Sequence, residues 1–260
     1  LPNQWRKSMD LKIKDKFTRL WKKYFDGAEL PICFYYTDVI KGVEEVEKTQ
    51  ENRCVICALS NVRKGKSLFF GLDSTGCPGG KRYFGFSEKI RPNFEYFLSC
   101  GIPGELEGER YKKSPELVKE VMKRMPIFMA PHKFIVFKRW DLLEESDNPE
   151  VAIFFAQPDV LSGLFTLASF DEVEPNGVIC PFGSGCSAIV HYPYLERESE
   201  HPRDVIGMFD PSARPCIPAD VITFATPMKK FYRMIGNMEE SFLITPTWGK
   251  VSKRISQDKA

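Results

Sequence analysis

The feature that most constrains this chain is an alternation of two kinds of apolar pattern. Residues 30–38, 67–72, 133–140, 151–156, 177–181, 204–210 and 221–225 are short runs rich in Val, Ile, Phe and Tyr. Runs of that length and composition predict strands. Between them, residues 10–26, 53–63, 93–100, 114–125, 160–170 and 228–238 carry apolar residues three and four apart, which predicts helices. Leu11, Ile13, Phe17, Leu20, Trp21, Tyr24 and Phe25 form the clearest such stripe, closed by Gly27. Ser114 is placed as an N-cap before Pro115, and Pro227 opens the segment 228–238. The expected fold is mixed α/β (α+β), a sheet of short strands flanked by helices. A chain of 260 residues buries a substantial core, and we read 1–260 as a single domain.

The pattern also recurs. Ile32-Cys33-Phe34-Tyr35-Tyr36-Thr37-Asp38 and Val151-Ala152-Ile153-Phe154-Phe155-Ala156-Gln157-Pro158-Asp159 are both aromatic-rich runs ending in Asp. Each is followed by a helical pattern, a second strand and a Gly–Cys loop. Two similar strand–helix–strand halves, 28–87 and 150–192, are therefore expected, with a mostly helical section at 88–131 between them. Ordinary α/β grammar produces a similar likeness without duplication. Residues 41–52 and 141–149 are polar connections, 241–248 a mixed segment, and 249–260 a polar tail expected to fray.

Charge narrows the function classes. The 37 basic and 35 acidic residues are interspersed and leave a net charge of +2, so no basic stripe marks a nucleic-acid surface. No apolar run approaches the ~18 residues of a membrane span. The first residues, Leu1-Pro2-Asn3-Gln4-Trp5-Arg6-Lys7, lack a signal-peptide core, and a cytoplasmic protein is expected. Eight cysteines are too few for a disulfide scaffold of this size, so reduced thiols are expected. A homodimer is compatible with the sequence.

Cysteine position carries the functional signal. Cys33 and Cys180 lie in strand runs and Cys100 at a helix end, where cysteine acts as a small hydrophobe. Cys54 and Cys57 form a lone Cys-x-x-Cys inside a helical pattern. Cys77, Cys186 and Cys216 instead sit in Gly/Pro-rich turns: Thr75-Gly76-Cys77-Pro78-Gly79-Gly80, Phe182-Gly183-Ser184-Gly185-Cys186-Ser187 and Ala213-Arg214-Pro215-Cys216. Glycines there permit left-handed backbone and close approach, and successive amides can converge on an anion. A helix starting after Gly185 would favour a Cys186 thiolate.

Three readings stand. The thiols of Cys54, Cys77, Cys186 and Cys216, with Cys57 as substitute for Cys54, converge on an iron–sulfur cluster or, with less support, on zinc. Alternatively, Gly76, Gly79, Gly80, Gly183, Ser184, Gly185 and Arg214 form a metal-free pocket for a small anionic molecule. In the third reading the turns are simply tight and the thiols pack beneath them. Lys81 and Arg82 flank the first loop and are read either as anion partners or as ordinary surface charge. His132, His191 and His201 show no ligand spacing, and no nucleophile elbow, phosphate loop or dinucleotide fingerprint is present.

In combination these loops resemble the domain-of-unknown-function family 169, also called the ArCR family. The likeness is carried by Gly76-Cys77-Pro78-Gly79-Gly80 with Gly85-Phe86, by Phe155-Ala156-Gln157-Pro158-Asp159 and by Pro181-Phe182-Gly183-Ser184-Gly185-Cys186. Ile206-Gly207, Asp210 and Ala213-Arg214-Pro215-Cys216 complete it. It runs over about residues 28–248 and implies neither substrate, reaction nor cofactor. The family's cysteine positions match Cys54, Cys77, Cys186 and Cys216, and Cys57 is an addition of this chain. The family occurs largely in archaea and anaerobic bacteria, which favours an oxygen-sensitive cofactor without establishing one.

Overall fold

A computed structural model describes residues 8–45, 54–74 and 77–257 of the chain. Among these residues eight strands form one sheet: β1 Ile32–Thr37, β2 Glu44–Glu45, β3 Leu68–Gly71, β4 Phe134–Arg139, β5 Val151–Ala156, β6 Val178–Ile179, β7 Asp204–Gly207 and β8 Ile222–Pro227. Nine α-helices accompany it among the described residues: α1 Leu11–Tyr24, α2 Val55–Arg63, α3 Pro78–Tyr83, α4 Phe94–Phe97, α5 Pro115–Arg124, α6 Pro158–Ala168, α7 Tyr192–Glu196, α8 Met228–Asn237 and α9 Pro246–Gln257. The expected mixed α/β fold is present, and no described helix is long and apolar enough to cross a membrane.

The strand order is β2-β3-β4-β1-β5-β8-β7-β6. Read inward from either edge, it is the same arrangement. β2 and β6 pair in parallel with β3 and β7, and those strands pair antiparallel with β4 and β8. β1 and β5 come next, antiparallel to β4 and β8, and meet each other at the centre with Ile32 opposite Ile153. The two halves thus share one strand plan, although the chain fills it with different helices.

Period-two alternation in the central strands divides the core between two faces. Ile32, Phe34 and Tyr36 of β1 and Val151, Ile153 and Phe155 of β5 face one cluster with α2, Tyr83, Ile189, Val190 and Tyr194. Cys33, Ala152, Phe154 and Ala156 face the other, where α1, α6, α8 and α9 pack. This explains why these strands read as unbroken apolar runs: both faces are covered. The second face is dense in aromatic edge contacts: Phe17 and Phe231 each meet Trp140, Phe154 and one another with ring centroids 5.0–6.4 Å apart. A buried Lys230–Asp204 ion pair of 2.9 Å ties α8 to β7 there.

Several local expectations hold. Gly27, expected to close α1, stands past its end with φ +95°. Ser114 caps α5, and Pro227 precedes α8. Others are corrected. The tail is not frayed over its described length but forms α9, because Trp248 and Ile255 dock on the second face. The strand expected at 177–181 is only Val178–Ile179, and Cys180 is exposed rather than a core thiol. Section 88–131 holds only α4 and α5, with Gly- and Pro-rich chain between them.

Candidate functional site

The site lies on the first face, where loops of both halves meet. Its first element is α3, which sequence periodicity does not reveal. Cys77 is its N-cap, and the Gly80 amide donates to Cys77 Sγ at 3.4 Å, with Pro78 at the first helical position. The second element starts at Gly185, where the chain turns helical, passes through a π-helical stretch at Ser187–His191, and continues as α7. π-Helical turns concentrate at functional sites. The third is segment 208–216, which leaves β7 and ends in a 3-10 turn at Arg214–Cys216. The first turn of α2, capped by Cys54, lies against it.

The glycines act here by close approach. None of Gly79, Gly80, Gly183 and Gly185 uses the left-handed backbone that glycine permits. A Cβ on Gly183 would overlap Ser187 Oγ. On Gly185 it would stand 2.9 Å from Met208 Sδ, 3.0 Å from Ala213 and 3.1 Å from Ile56. The missing side chain is what lets α2, the second loop and segment 208–213 touch. The amides of Gly80 and Gly185 are spent on Cys77 Sγ and on Asp210 Oδ2, at 3.4 and 3.3 Å. Ser184 Oγ faces the Ser187 amide at 3.3 Å. Gly76 lies outside the described residues.

The cysteines do not behave as a free thiolate set. Cys216 is joined to Cys57 in a disulfide with Cα atoms 4.6 Å apart, which corrects both the reduced-thiol expectation and Cys216 as a thiolate ligand. Cys54, Cys77 and Cys186 are free and close enough to influence one another electrostatically. Burial dominates two of them. It holds the Cys186 thiol well above its usual range, and the neighbouring Cys54, Cys77 and Asp210 push the same way, so the expected helix-end thiolate is corrected. Cys54 is raised too, with the amides of Ile56 and Cys57 only partly offsetting burial. The described residues contain no group of three or more His, Cys, Asp or Glu able to hold a metal, and Cys216, one of the four expected ligands, is committed to the disulfide. As arranged, these residues do not fit a cluster or zinc.

The loops do border a cavity of about 870 Å3. Cys77, Gly79, Gly183 and Ser184 line it, joined by Cys180, Phe209 and Asp210. Its opposite wall comes from the middle section: Phe94, Phe97 and Leu98 around α4, with Val121 and Met122 of α5 and its C-cap Met125. This wall is the main part of the site that the residue patterns do not disclose, because its apolar stripes look like ordinary core. Arg82 also lines the cavity. It is only 8% exposed, and its guanidinium donates to the Glu88 carbonyl at 2.5 Å. Among the described residues it has no carboxylate ion-pair partner. Tyr83 beside it is a neutral donor, its phenol pushed up to about 12 by burial.

Not every expected residue joins this wall. Arg214 points away and donates to the carbonyls of Val221, Pro218 and Ala219, so it folds its own loop. Lys81, Cys54, Cys186 and Cys216 lie outside the lining. Asp210 accepts from the Ser212 amide and hydroxyl as well as from Gly185, which makes it a brace for the loop junction.

The two halves make a different equivalence from the one expected. Cys54 follows β2 as Cys186 follows β6, and Cys77 follows β3 as Cys216 follows β7. In this strand order Cys77 and Cys186 do not occupy matching places, although β1 and β5 do. Among known proteins, the model of the uncharacterised ArCR family, domain of unknown function 169, matches residues 22–237. No curated protein and no solved structure matches the chain.

Proposed function

We propose that this chain, which belongs to the uncharacterised ArCR family, binds a small and mainly apolar molecule bearing one anionic group. The observation that carries the reading is Arg82, a guanidinium nine-tenths buried in the lining and without a carboxylate partner among the described residues. A buried charge is costly when left without a counter-charge, and a ligand carboxylate or phosphate would supply one. Arginine also matches such oxyanions through two parallel donors. The volume of about 870 Å3 suits a ligand of drug or metabolite size. Phe94, Phe97, Met122 and Met125 would cover the apolar body. Tyr83 and Ser184 would add neutral donors.

The test compares decanoate with decanol, by displacement of 1-anilinonaphthalene-8-sulfonate fluorescence. Wild type is expected to favour decanoate about tenfold or more, the scale of one hydrogen bond to a charged group. Arg82→Gln should abolish that preference, Arg82→Lys should keep part of it, and Met122→Trp should exclude both ligands. Equal affinity of the wild type for acid and alcohol would overturn the reading. The iron–sulfur or metal reading has in its favour only the proximity of the Cys54, Cys77 and Cys186 thiols. Anaerobic purification with metal analysis and visible absorbance tests it.

A further inference from the structure

We infer that the Cys57–Cys216 disulfide is a site of reduction by dithiols, and that its cleavage loosens one wall of the cavity. The bond joins the first turn of α2 to the 3-10 turn at Arg214–Cys216, across 159 residues of sequence. Cys57 is exposed, so its sulfur can be attacked from solvent, while Cys216 is half-buried.

The position of the bond is what gives it a consequence. Met208, Phe209, Asp210, Pro211 and Ser212 line the cavity, and only Ala213 separates them from the 3-10 turn. At one end this wall leaves β7 through Met208, whose φ of +71° lies in the left-handed region that an unbranched non-glycine residue rarely adopts. At the other end it is held to α2 by the disulfide. Between the ends it packs on Gly185 and is braced by Asp210. Downstream, the Arg214 side chain fastens the loop before β8. The segment is thus a short strap whose covalent anchor is the bond itself.

The chemistry balances with a dithiol as co-reactant. One thiolate of the reductant attacks Cys57 Sγ, the Cys57–Cys216 bond breaks, and Cys216 leaves as a thiolate that takes up a proton. The second thiol of the reductant then attacks its own sulfur in the mixed disulfide. Cys57 is released as a thiol, and the reductant becomes a cyclic disulfide. Two electrons pass from dithiol to protein.

The effect on ligand binding rests on the cavity reading above, whereas the loosening of the strap does not. Protein purified without reductant is titrated for thiols in denaturant, then followed by hydrogen exchange and by 1-anilinonaphthalene-8-sulfonate binding, with and without dithiothreitol. Six thiols are expected before reduction, matching the six free cysteines, and eight after it. Amide exchange across 208–217 should rise at least about tenfold on reduction, and probe affinity should fall by about the same factor. Cys57→Ser with Cys216→Ser should exchange like the reduced protein with or without dithiothreitol. Eight thiols before reduction, or unchanged exchange across 208–217, would overturn the inference. Faster exchange in a protein that never binds the probe would uphold the strap and sink the ligand reading instead.

Discussion

Gly183→Ala offers a test of how the second loop is built. The added Cβ would overlap Ser187 Oγ and sit 3.3 Å from Ser187 Cβ. Ser187 is fully buried, and its hydroxyl donates to the Ser184 carbonyl at 2.7 Å. Relief requires the hydroxyl to swing away, which leaves a buried polar group unpaired at a cost of roughly 1–3 kcal/mol. An off-rotamer side chain adds about 0.5–1.5 kcal/mol. The single variant should therefore lose roughly 2–4 kcal/mol. Ser187→Ala alone should lose only about 0.5–1.5 kcal/mol, because the Ser184 carbonyl keeps the Ala188 amide as a donor.

In the double variant the overlapping atom is gone. Its loss should approach that of Ser187→Ala rather than the sum, a coupling close to the whole Gly183→Ala loss of roughly 2–4 kcal/mol. Urea denaturation followed by circular dichroism reads all four corners of the cycle. Additivity within about 0.5 kcal/mol would show that close approach to Ser187 is not why glycine stands at position 183.

Two further outcomes follow from the same geometry. His191 donates through Nε2–H to the Pro126 carbonyl at 2.8 Å, and burial lowers its pKa to about 4. Its neutral form is the one the fold accommodates, so its contribution is fully present above pH ~6.5 and is lost as pH falls through about 4. His191→Gln should remove that acid-side loss, worth about 3 kcal/mol at most, in stability curves compared with wild type between pH 7 and pH 4; identical slopes would refute it. Arg214→Ala should loosen the loop at 217–221 and cost roughly 1–3 kcal/mol while leaving the preference for decanoate over decanol intact. Loss of that preference would return Arg214 to the ligand site.

The elements that were legible are those whose signal is local. β1 and β5 announce themselves because both faces of each strand are buried, which leaves continuous apolar runs. α1 and α8 carry apolar stripes, and α5 carries a Ser-Pro start. α3 was hidden because Pro78, Gly79 and Gly80 are poor helix formers, and only Cys77 as cap and packing against Val55 make them helical. α9 was hidden by its polar composition, since two docked side chains, Trp248 and Ile255, outweigh the rest. Arg82 looked like surface charge because nothing in sequence marks a guanidinium as buried.

What the chain by itself determined, then, is its fold class, its two central strands and the stretches where unusual residues gather, because these follow from periodicity and backbone chemistry within a few residues. Tertiary structure alone decided which of those residues meet. It set Cys57 rather than a metal against Cys216, turned Arg214 into a loop clasp, and brought α4 and α5 over the loops to close a cavity around Arg82. Those outcomes depend on contacts between residues far apart in sequence, and on burial, which no local pattern encodes.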